Sequence, residues 1–222
     1  MRVLAIDTAT TDLVTGIVDT NTGAVTERII ADTRAHNEQL VPTVQALLSD
    51  ASLNFNNLDA IVVGCGPGPF TGLRVGMASA QALGQALGIP VHGVCSHDAI
   101  AHAIAAEFPS EKLLVTSDAR RKEVYFAVYD GAERTFGPEV IAPEQLSAEV
   151  NRIIIPDALA ARLPVELADH PRQAANPRPA GLVAVADLDS TPEPLVPLYL
   201  RRPDAKEPKA RPQSPAIPKV EL

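Results

Sequence analysis

The chain has 222 residues, 46% of them hydrophobic, and a formal net charge of −8. This length suffices for one large domain or two small ones, and the absence of any run of about 18 apolar residues excludes a membrane-spanning helix. The two cysteines, Cys65 and Cys95, are too few for a disulfide framework, which is typical of the reducing cytosol, so we expect a cytoplasmic globular protein.

Short apolar runs alternate with amphipathic stretches through the first half of the chain. The patterns predict strands at 2–7, 13–19, 24–31, 59–64 and 91–94. They predict helices at 37–51, 71–87 and 96–107, with Pro42 bending the start of the first. Three strands followed by alternating helices and strands are typical of an α/β fold of the ribonuclease H-like class, with a mixed sheet and crossover connections.

Proline interrupts the second half, because 15 of the 20 prolines follow residue 110. Strands are predicted at 113–117 and 123–129 around a tight turn, shorter strands at 153–155 and 165–168, and a short helix near 180–188. We therefore divide the chain into an N-terminal lobe at 1–108, a smaller and reduced C-terminal lobe at 109–201, and a disordered, basic, proline-rich tail at 202–222.

The net negative charge of the chain comes from residues 1–200. Residues 201–222 hold six basic and three acidic side chains, a charge of +3, so residues 1–200 carry −11. A body this acidic is a poor match for the phosphates of RNA. Any RNA would then have to be bound through the tail or through a partner.

The segment from Gly64 to Arg74 joins an apolar strand to a helix and contains four glycines and two prolines. Glycine permits close backbone approach, and free N–H groups at a helix start attract anions, so a phosphate cradle is one interpretation. The prolines remove N–H donors and no Lys-Ser or Lys-Thr pair follows, so the segment is not a P-loop. We favour the alternative, which is a rigid turn between strand and helix.

The helix predicted at 71–87 carries small residues at every fourth position, namely Gly72, Gly76, Ala80, Gly84 and Gly88. Interior glycines cost roughly 0.5–1 kcal/mol each relative to alanine, so a close backbone contact has to offset that cost. The helix is apolar around most of its circumference, which indicates burial on two sides. Packing within the chain is one interpretation, and we favour a subunit interface. Its predicted residues are Leu40, Val44, Leu47, Leu73, Gly76, Met77, Ala80 and Gly84.

Several motifs in a fixed order resemble those of the bacterial TsaB/YeaZ family. The resemblance covers residues 1–130 and resumes at 197–201. The motifs are Leu4-Ala5-Ile6-Asp7-Thr8-Ala9-Thr10, Arg34-Ala35-His36 with Leu40-Val41-Pro42, Gly66-Pro67-Gly68-Pro69-Phe70-Thr71-Gly72-Leu73-Arg74-Val75-Gly76, Asp118-Ala119-Arg120-Arg121-Lys122-Glu123-Val124-Tyr125 and Pro197-Leu198-Tyr199-Leu200-Arg201.

The resemblance implies a two-lobed, actin-like ATPase (ASKHA) fold with mixed sheets flanked by helices. It implies a non-catalytic scaffold subunit of the complex that forms N6-threonylcarbamoyladenosine in tRNA, needed by the catalytic subunit TsaD and working with the ATPase TsaE. It also implies a heterodimer with TsaD through the helices at 37–51 and 71–87, a homodimer when alone, and tRNA contact mainly through the complex. The family usually has Ser where this chain has Pro69, so a hydroxyl contact is not expected there.

We expect no catalytic chemistry from the chain itself. The candidate contacts for an anion or nucleotide are Asp7, Thr8, Thr10, Gly66, Gly68 and Thr71. However, Ala9 stands where actin-like ATPases have a glycine in their phosphate loop, and its Cβ would hinder a phosphate, so we expect Asp7 to form a turn. The chain should hold no cofactor of its own, with ATP and Mg²⁺ used by partner subunits. We expect no metal site, because Leu40 replaces the second histidine that would accompany His36.

A charged cluster of Asp118, Arg120 and Glu123 lies at the turn after the strand at 113–117. We expect it to lie between the lobes and to orient the hairpin; the alternative is a solvated ion pair worth under about 1 kcal/mol. Two other functions stay open. An autonomous peptidase-like hydrolase needs a nucleophile, a base and an orienting group within reach, which the sequence does not display. A small-molecule kinase of the actin-like fold needs tight magnesium-dependent ATP binding.

Overall fold

The structure, a computed structural model, describes residues 1–201, and the predicted tail at 202–222 lies outside the described residues. The first half of the chain builds a five-stranded sheet in the order β3-β2-β1-β4-β5. Its strands are β1 Arg2–Asp7, β2 Leu13–Asp19, β3 Val25–Ile30, β4 Ala60–Gly64 and β5 Val91–Val94. β1 pairs with β2 in the antiparallel sense and with β4 in the parallel sense, so the sheet is mixed as predicted.

Three helices complete this first lobe, and their bounds agree with the sequence prediction to within one residue. They are α1 His36–Asp50, α2 Phe70–Leu87 and α3 Ser96–Glu107. α1 continues through Pro42, which lies inside the helix on its exposed side. A short 3₁₀ turn, Phe55–Asn57, precedes β4. Asn54 and Asn57 form a capping box, in which the side chain of each accepts a hydrogen bond from the backbone at the start of this turn.

The second half repeats the strand topology of the first. Its sheet has the order β10-β9-β6-β7-β8, in which β6 takes the central place that β1 has in the first sheet. The strands are β6 Lys112–Asp118, β7 Val124–Asp130, β8 Glu133–Ile141, β9 Arg152–Ile154 and β10 Arg172–Gln173. The fold is therefore the α/β, actin-like arrangement of two mixed sheets that the sequence and the family resemblance predicted.

The helices of the second lobe are short, as the many prolines led us to expect. They are α4 Asp157–Ala160, α5 Val165–Ala168 and α6 Pro179–Ala184, with a 3₁₀ turn at Pro143–Gln145. The strand predicted at 165–168 is wrong, because this segment is a single helical turn in which Val165 is 85% exposed. The sequence also missed β8, an edge strand whose residues are mostly exposed and therefore show no alternation of apolar and polar side chains.

Layers of helix and sheet enclose four apolar clusters. α1 and α2 cover one face of the first sheet through Leu40, Leu47 and Leu73. α3 lies between the sheets, with Ala99 against the first and Ile100 and Ile104 against the second. None of the helices within residues 1–201 is long and apolar enough to cross a bilayer.

After the second sheet, the chain returns to the first lobe. α6 contacts α3, β1 and β2, and Leu182 and Val183 belong to the core of the first sheet. Further along, the Leu198 N–H donates to the Cys65 carbonyl at 2.9 Å. The second sheet starts at Lys112, whereas α6 and Leu198 contact the first lobe and Arg201 pairs with Glu123 of the second.

The small residues of α2 face the chain's own core, which corrects the predicted subunit interface. A Cβ at Gly76 would overlap the Thr8 hydroxyl, and one at Gly84 would overlap the Val91 side chain. All eight predicted interface residues are buried within the chain: Leu40, Val44, Leu47, Leu73, Gly76, Met77, Ala80 and Gly84. The spacing of four showed that one stripe of the helix needs small residues, but spacing alone could not show that the neighbours are Thr8, which follows β1, and Val91 of β5.

We expect Gly76→Leu to lower the free energy of unfolding by about 2–3 kcal/mol, because the new side chain has to displace Thr8 inside a packed core. Ala78→Leu, on the exposed side of the same helix, is the matched control and should change it by less than about 0.5 kcal/mol. Urea denaturation followed by circular dichroism measures both. Equal free energies of unfolding for the two variants would show that the side of α2 that carries Gly76 is not packed against the core.

Candidate functional site

A cleft of about 370 Å³ opens between the lobes where β1 and β6 end. Thr10 and Thr11 line it from the first lobe, and Thr116, Ser117 and Asp118 line it from the second. In folds with two related sheets, ligands bind outside the carboxyl ends of the central strands. This inter-lobe cleft is therefore the place where a nucleotide or a catalytic group of the chain's own has to be sought.

Asp7, the last residue of β1, is sealed beneath the cleft. Its carboxylate is fully buried and accepts hydrogen bonds from the Ser96 hydroxyl at 2.6 Å and from the Ala9 N–H at 2.8 Å. Burial raises the pKa of Asp7 to about 6, and these two hydrogen bonds oppose that rise. Gly64 lies so close that a Cβ there would overlap the carboxylate. Asp7 forms the turn that the sequence predicted and has no open side toward a ligand.

The glycine loop packs closely against the residues that follow β1. A Cβ at Gly68 would overlap the backbone of Ala9, and Gly72 lies equally close to the Thr8 carbonyl. The Thr8 hydroxyl donates to the Gly72 carbonyl at 2.7 Å, which ties the end of β1 to the first turn of α2. These contacts favour the rigid turn over the phosphate cradle.

The six predicted anion contacts therefore divide into three groups. Asp7, Thr8, Gly66 and Gly68 come together, but all four are buried in contacts within the chain. Thr10 lines the inter-lobe cleft, and Thr71 is exposed in the first turn of α2. The structure does not gather them around one space that a ligand could enter.

The charge of the inter-lobe cleft is also unfavourable for a nucleotide. Asp32, Asp118 and Asp157 line it, against the single cation Arg120. The negative carboxylates would repel the negative phosphates of a nucleotide bound in this cleft. Within residues 1–201, no group of three or more His, Cys, Asp or Glu side chains could hold a metal ion. His36 begins α1, where its Nε2 lies 3.4 Å from the Asp12 carbonyl.

The predicted charged cluster is split by the structure. Asp118 accepts a hydrogen bond from the Arg120 N–H at 2.7 Å, and their side chains form an exposed ion pair at 3.8 Å. Glu123 instead pairs with Arg201 at the end of the described chain. The hairpin also contacts the glycine loop, because the Tyr125 hydroxyl donates to the Gly68 carbonyl at 3.4 Å. The hairpin thus lies next to the first lobe, and the role of the turn in orienting it stays a prediction.

A buried pair that the sequence did not reveal joins the lobes beneath the cleft. His97 at the start of α3 lies with its Nε2 2.8 Å from the Ser117 hydroxyl at the end of β6. Both residues are buried, and His97 Nδ1 has no hydrogen-bond partner among the described residues. Burial, followed by the charge of Arg134, lowers the pKa of His97 to about 3. Twenty residues separate the two side chains, so no local pattern could have paired them.

This Ser-His pair lacks what a hydrolase needs. No carboxylate orients the imidazole at Nδ1, and an imidazole with a pKa near 3 is a weak general base at neutral pH. The pair is better explained as a buried contact that fixes α3 between the two sheets. The geometry therefore gives the hydrolase alternative no support.

Comparisons with known proteins agree on one family. A family model described as "TsaD: tRNA N6-adenosine threonylcarbamoyltransferase" matches residues 25–176. An uncharacterized protein of Mycobacterium tuberculosis strain H37Rv is 50% identical over 215 residues, 92% of this chain and 93% of that one. The "tRNA threonylcarbamoyladenosine biosynthesis protein TsaB" of Escherichia coli K12 is 32% identical over 161 residues, 67% of this chain and 69% of that one.

A solved structure agrees with the sequence relatives. YeaZ from Pseudomonas aeruginosa superposes with a TM-score of 0.70 at 26% identity, covering 83% of this chain and 89% of that one. The similarity extends over both lobes, because neither lobe alone accounts for that share of the chain.

The buried carboxyl of Asp7 predicts a pH dependence of stability. Its pKa in the folded chain, about 6, exceeds the ordinary value of 3.8, so its contribution is fully present below pH 3.8 and is lost as the pH rises through 6. Asp7→Asn keeps the shape without the titration. Relative to wild type, we expect its free energy of unfolding to rise by on the order of 2–3 kcal/mol between acid and neutral pH.

Urea denaturation of both proteins across this pH range measures the difference. His97 titrates in both proteins and therefore cancels from it. A difference that stays constant with pH would contradict the raised pKa.

Proposed function

The chain belongs to the TsaB/YeaZ family, and on that premise we propose that it is a subunit of the complex that forms N6-threonylcarbamoyladenosine in tRNA. In this proposal the chain is a non-catalytic scaffold that binds a TsaD-type catalytic subunit and supports its activity. A TsaE-type ATPase joins the same assembly, and ATP and Mg²⁺ are used by these partners. The names of its relatives support the pathway, and the geometry of the chain supports the scaffold role.

The observation that carries the scaffold role is the outer face of the two helices that cover the first sheet. With its glycines turned inward, α2 exposes Ala78, Ala82 and Ala86 at intervals of four residues. On the adjacent α1, Val41 is 43% exposed. Alanines in such a row let a partner helix approach closely without loss of side-chain entropy. We propose this alanine face as the surface for the TsaD-type partner and for the homodimer formed in its absence.

The interior of the chain supports a role without catalysis. Asp7 is buried, the glycine loop packs on the backbone of Ala9, and the charged side chains that line the inter-lobe cleft are three carboxylates and one arginine. A kinase of the actin-like fold needs an open phosphate site, and a hydrolase needs an activated nucleophile. The described residues offer neither arrangement, so the proposal assigns the chemistry to the partner.

Ala82→Arg tests the alanine face. A long charged side chain in the centre of a helix contact should weaken binding of the TsaD-type partner by roughly tenfold or more. Formation of threonylcarbamoyladenosine in a reconstituted reaction should fall with it. Because Ala82 is exposed, the melting temperature of the variant should stay close to that of wild type.

The matched control is Ala132→Arg, which places the same side chain on an exposed position of the second lobe. It should bind the partner as wild type does. Calorimetric titration of each variant with the TsaD-type partner gives the affinities. If Ala82→Arg binds as tightly as the control, the partner does not use this face.

A further inference from the structure

A pair of exposed aromatic rings lies where the N-terminus of α2 meets the end of the described chain. Phe70 is 48% exposed and Tyr199 is 42% exposed, and their ring centroids are 5.0 Å apart. Aromatic residues make up only 4% of the chain, and burial would stabilise each ring. Two rings left in contact with solvent beside each other indicate a surface that receives a flat apolar group.

Basic side chains surround these rings. The Arg74 guanidinium lies 5.0 Å from the centroid of the Phe70 ring. Arg120, Arg121 and Arg201 line an adjoining cavity of about 330 Å³, to which Phe70 and Tyr199 also contribute. We call these six residues the aromatic–arginine surface: Phe70, Arg74, Arg120, Arg121, Tyr199 and Arg201.

The charge of this surface opposes that of the rest of the chain. Together with the exposed Lys122, it carries five basic groups. Three of these groups already have partners, because Asp118 pairs with Arg120, Glu123 pairs with Arg201, and Arg121 makes an interaction of its own. These basic groups gather on one surface of a chain whose residues 1–201 carry −10 in total. An anion is repelled by most of the molecule and attracted here.

The turn that presents the arginines is held by contacts on both sides. Arg120, Arg121 and Lys122 all have positive φ angles, of 63°, 54° and 64°. Asp118 accepts from the Arg120 N–H, and Arg162 donates to the Lys122 carbonyl. The basic side chains therefore start from a backbone whose conformation is fixed, which lowers the entropy lost on binding.

Aromatic rings interleaved with guanidinium groups match the chemistry of single-stranded nucleic acid. A base stacks on an exposed ring, worth about 1–3 kcal/mol per base, and the phosphates beside it pair with arginine. Protein interfaces are also enriched in aromatic residues and arginine, but their centres are depleted of charged residues, whereas several arginines adjoin the rings here. The sequence that continues from Arg201 is also basic, with five basic and three acidic residues over 202–222.

We infer that the aromatic–arginine surface binds unpaired nucleotides of RNA. The inference rests on the proposed function, which places an RNA substrate in the same complex. Phe70 and Tyr199 receive a base, and Arg74, Arg120 and Arg121 hold the flanking phosphates. The surface lies at the N-terminal end of α2 and adjoins the alanine face at Ala78, while Ala82 and Ala86 lie nearer the C-terminal end, so the RNA would bind beside the partner.

The test is a fluorescence anisotropy titration of a labelled short single-stranded RNA with the full-length chain bound to its TsaD-type partner, at two salt concentrations. The double variant R120E/R121E should bind at least roughly tenfold more weakly, and the slope of log affinity against log salt should fall by about 1–2. Tyr199→Ala should bind severalfold more weakly with an unchanged salt slope, and Tyr199→Phe should restore the affinity.

The matched control is the double variant R2E/K112E, which makes the same change in net charge at exposed positions on other parts of the chain. Wild-type affinity in R120E/R121E, or an equal loss in the control, would overturn the inference. Displacement of the RNA by ATP at matched phosphate concentration would assign the surface to a free nucleotide instead and would also overturn it.

The outcomes also separate this inference from the proposed function. If R120E/R121E loses the TsaD-type partner while the complex of wild type shows no RNA binding here, the surface docks protein and the RNA inference fails. If the partner is retained and only RNA affinity falls, both stand. Failure of the Ala82→Arg test would count against the proposed partner face without changing the RNA result.

Discussion

The packing of the end of β1 against the glycine loop and α2 is the contact on which the rest of the structure depends. Gly64 leaves room for the buried Asp7 carboxylate, Gly68 for the backbone of Ala9, and Gly76 for the Thr8 hydroxyl. Each glycine is required because a side chain would occupy space already taken by the same chain. The contact fixes which side of α2 faces inward, and therefore which side faces solvent.

Two consequences for function follow from this one contact. The end of β1 and the glycine loop are packed against each other, so the described residues leave no open space between them below the inter-lobe cleft. The outer side of α2 presents alanines, and the start of this helix and the last described residues present Phe70 and Tyr199 among arginines. The features available for binding thus lie on the surface, which suits a subunit that supports the chemistry of another.

The sequence predicted the strands and helices of the first lobe well. It did not predict which side of α2 faces the core or which distant side chains pair. Apolar runs located β1, α2 and α3 because each is buried on at least one face. The edge strand β8 was missed because exposure removes the alternation on which strand prediction depends. The spacing of glycines in α2 identified a close contact but not its partner, and the pairing of His97 with Ser117 depends on how two lobes meet. Both contacts depend on how distant segments pack in the folded chain, which local sequence patterns do not encode.

We propose that the backbone of this chain occupies the place where a phosphate would bind in this fold. Isothermal titration calorimetry of the full-length chain alone with ATP and Mg²⁺ tests this most directly. We expect no saturable heat of binding up to millimolar nucleotide, because the backbone of Ala9 and Gly68 fills the site and carboxylates line the cleft above it. Tight binding of ATP that requires Mg²⁺ would contradict the claim.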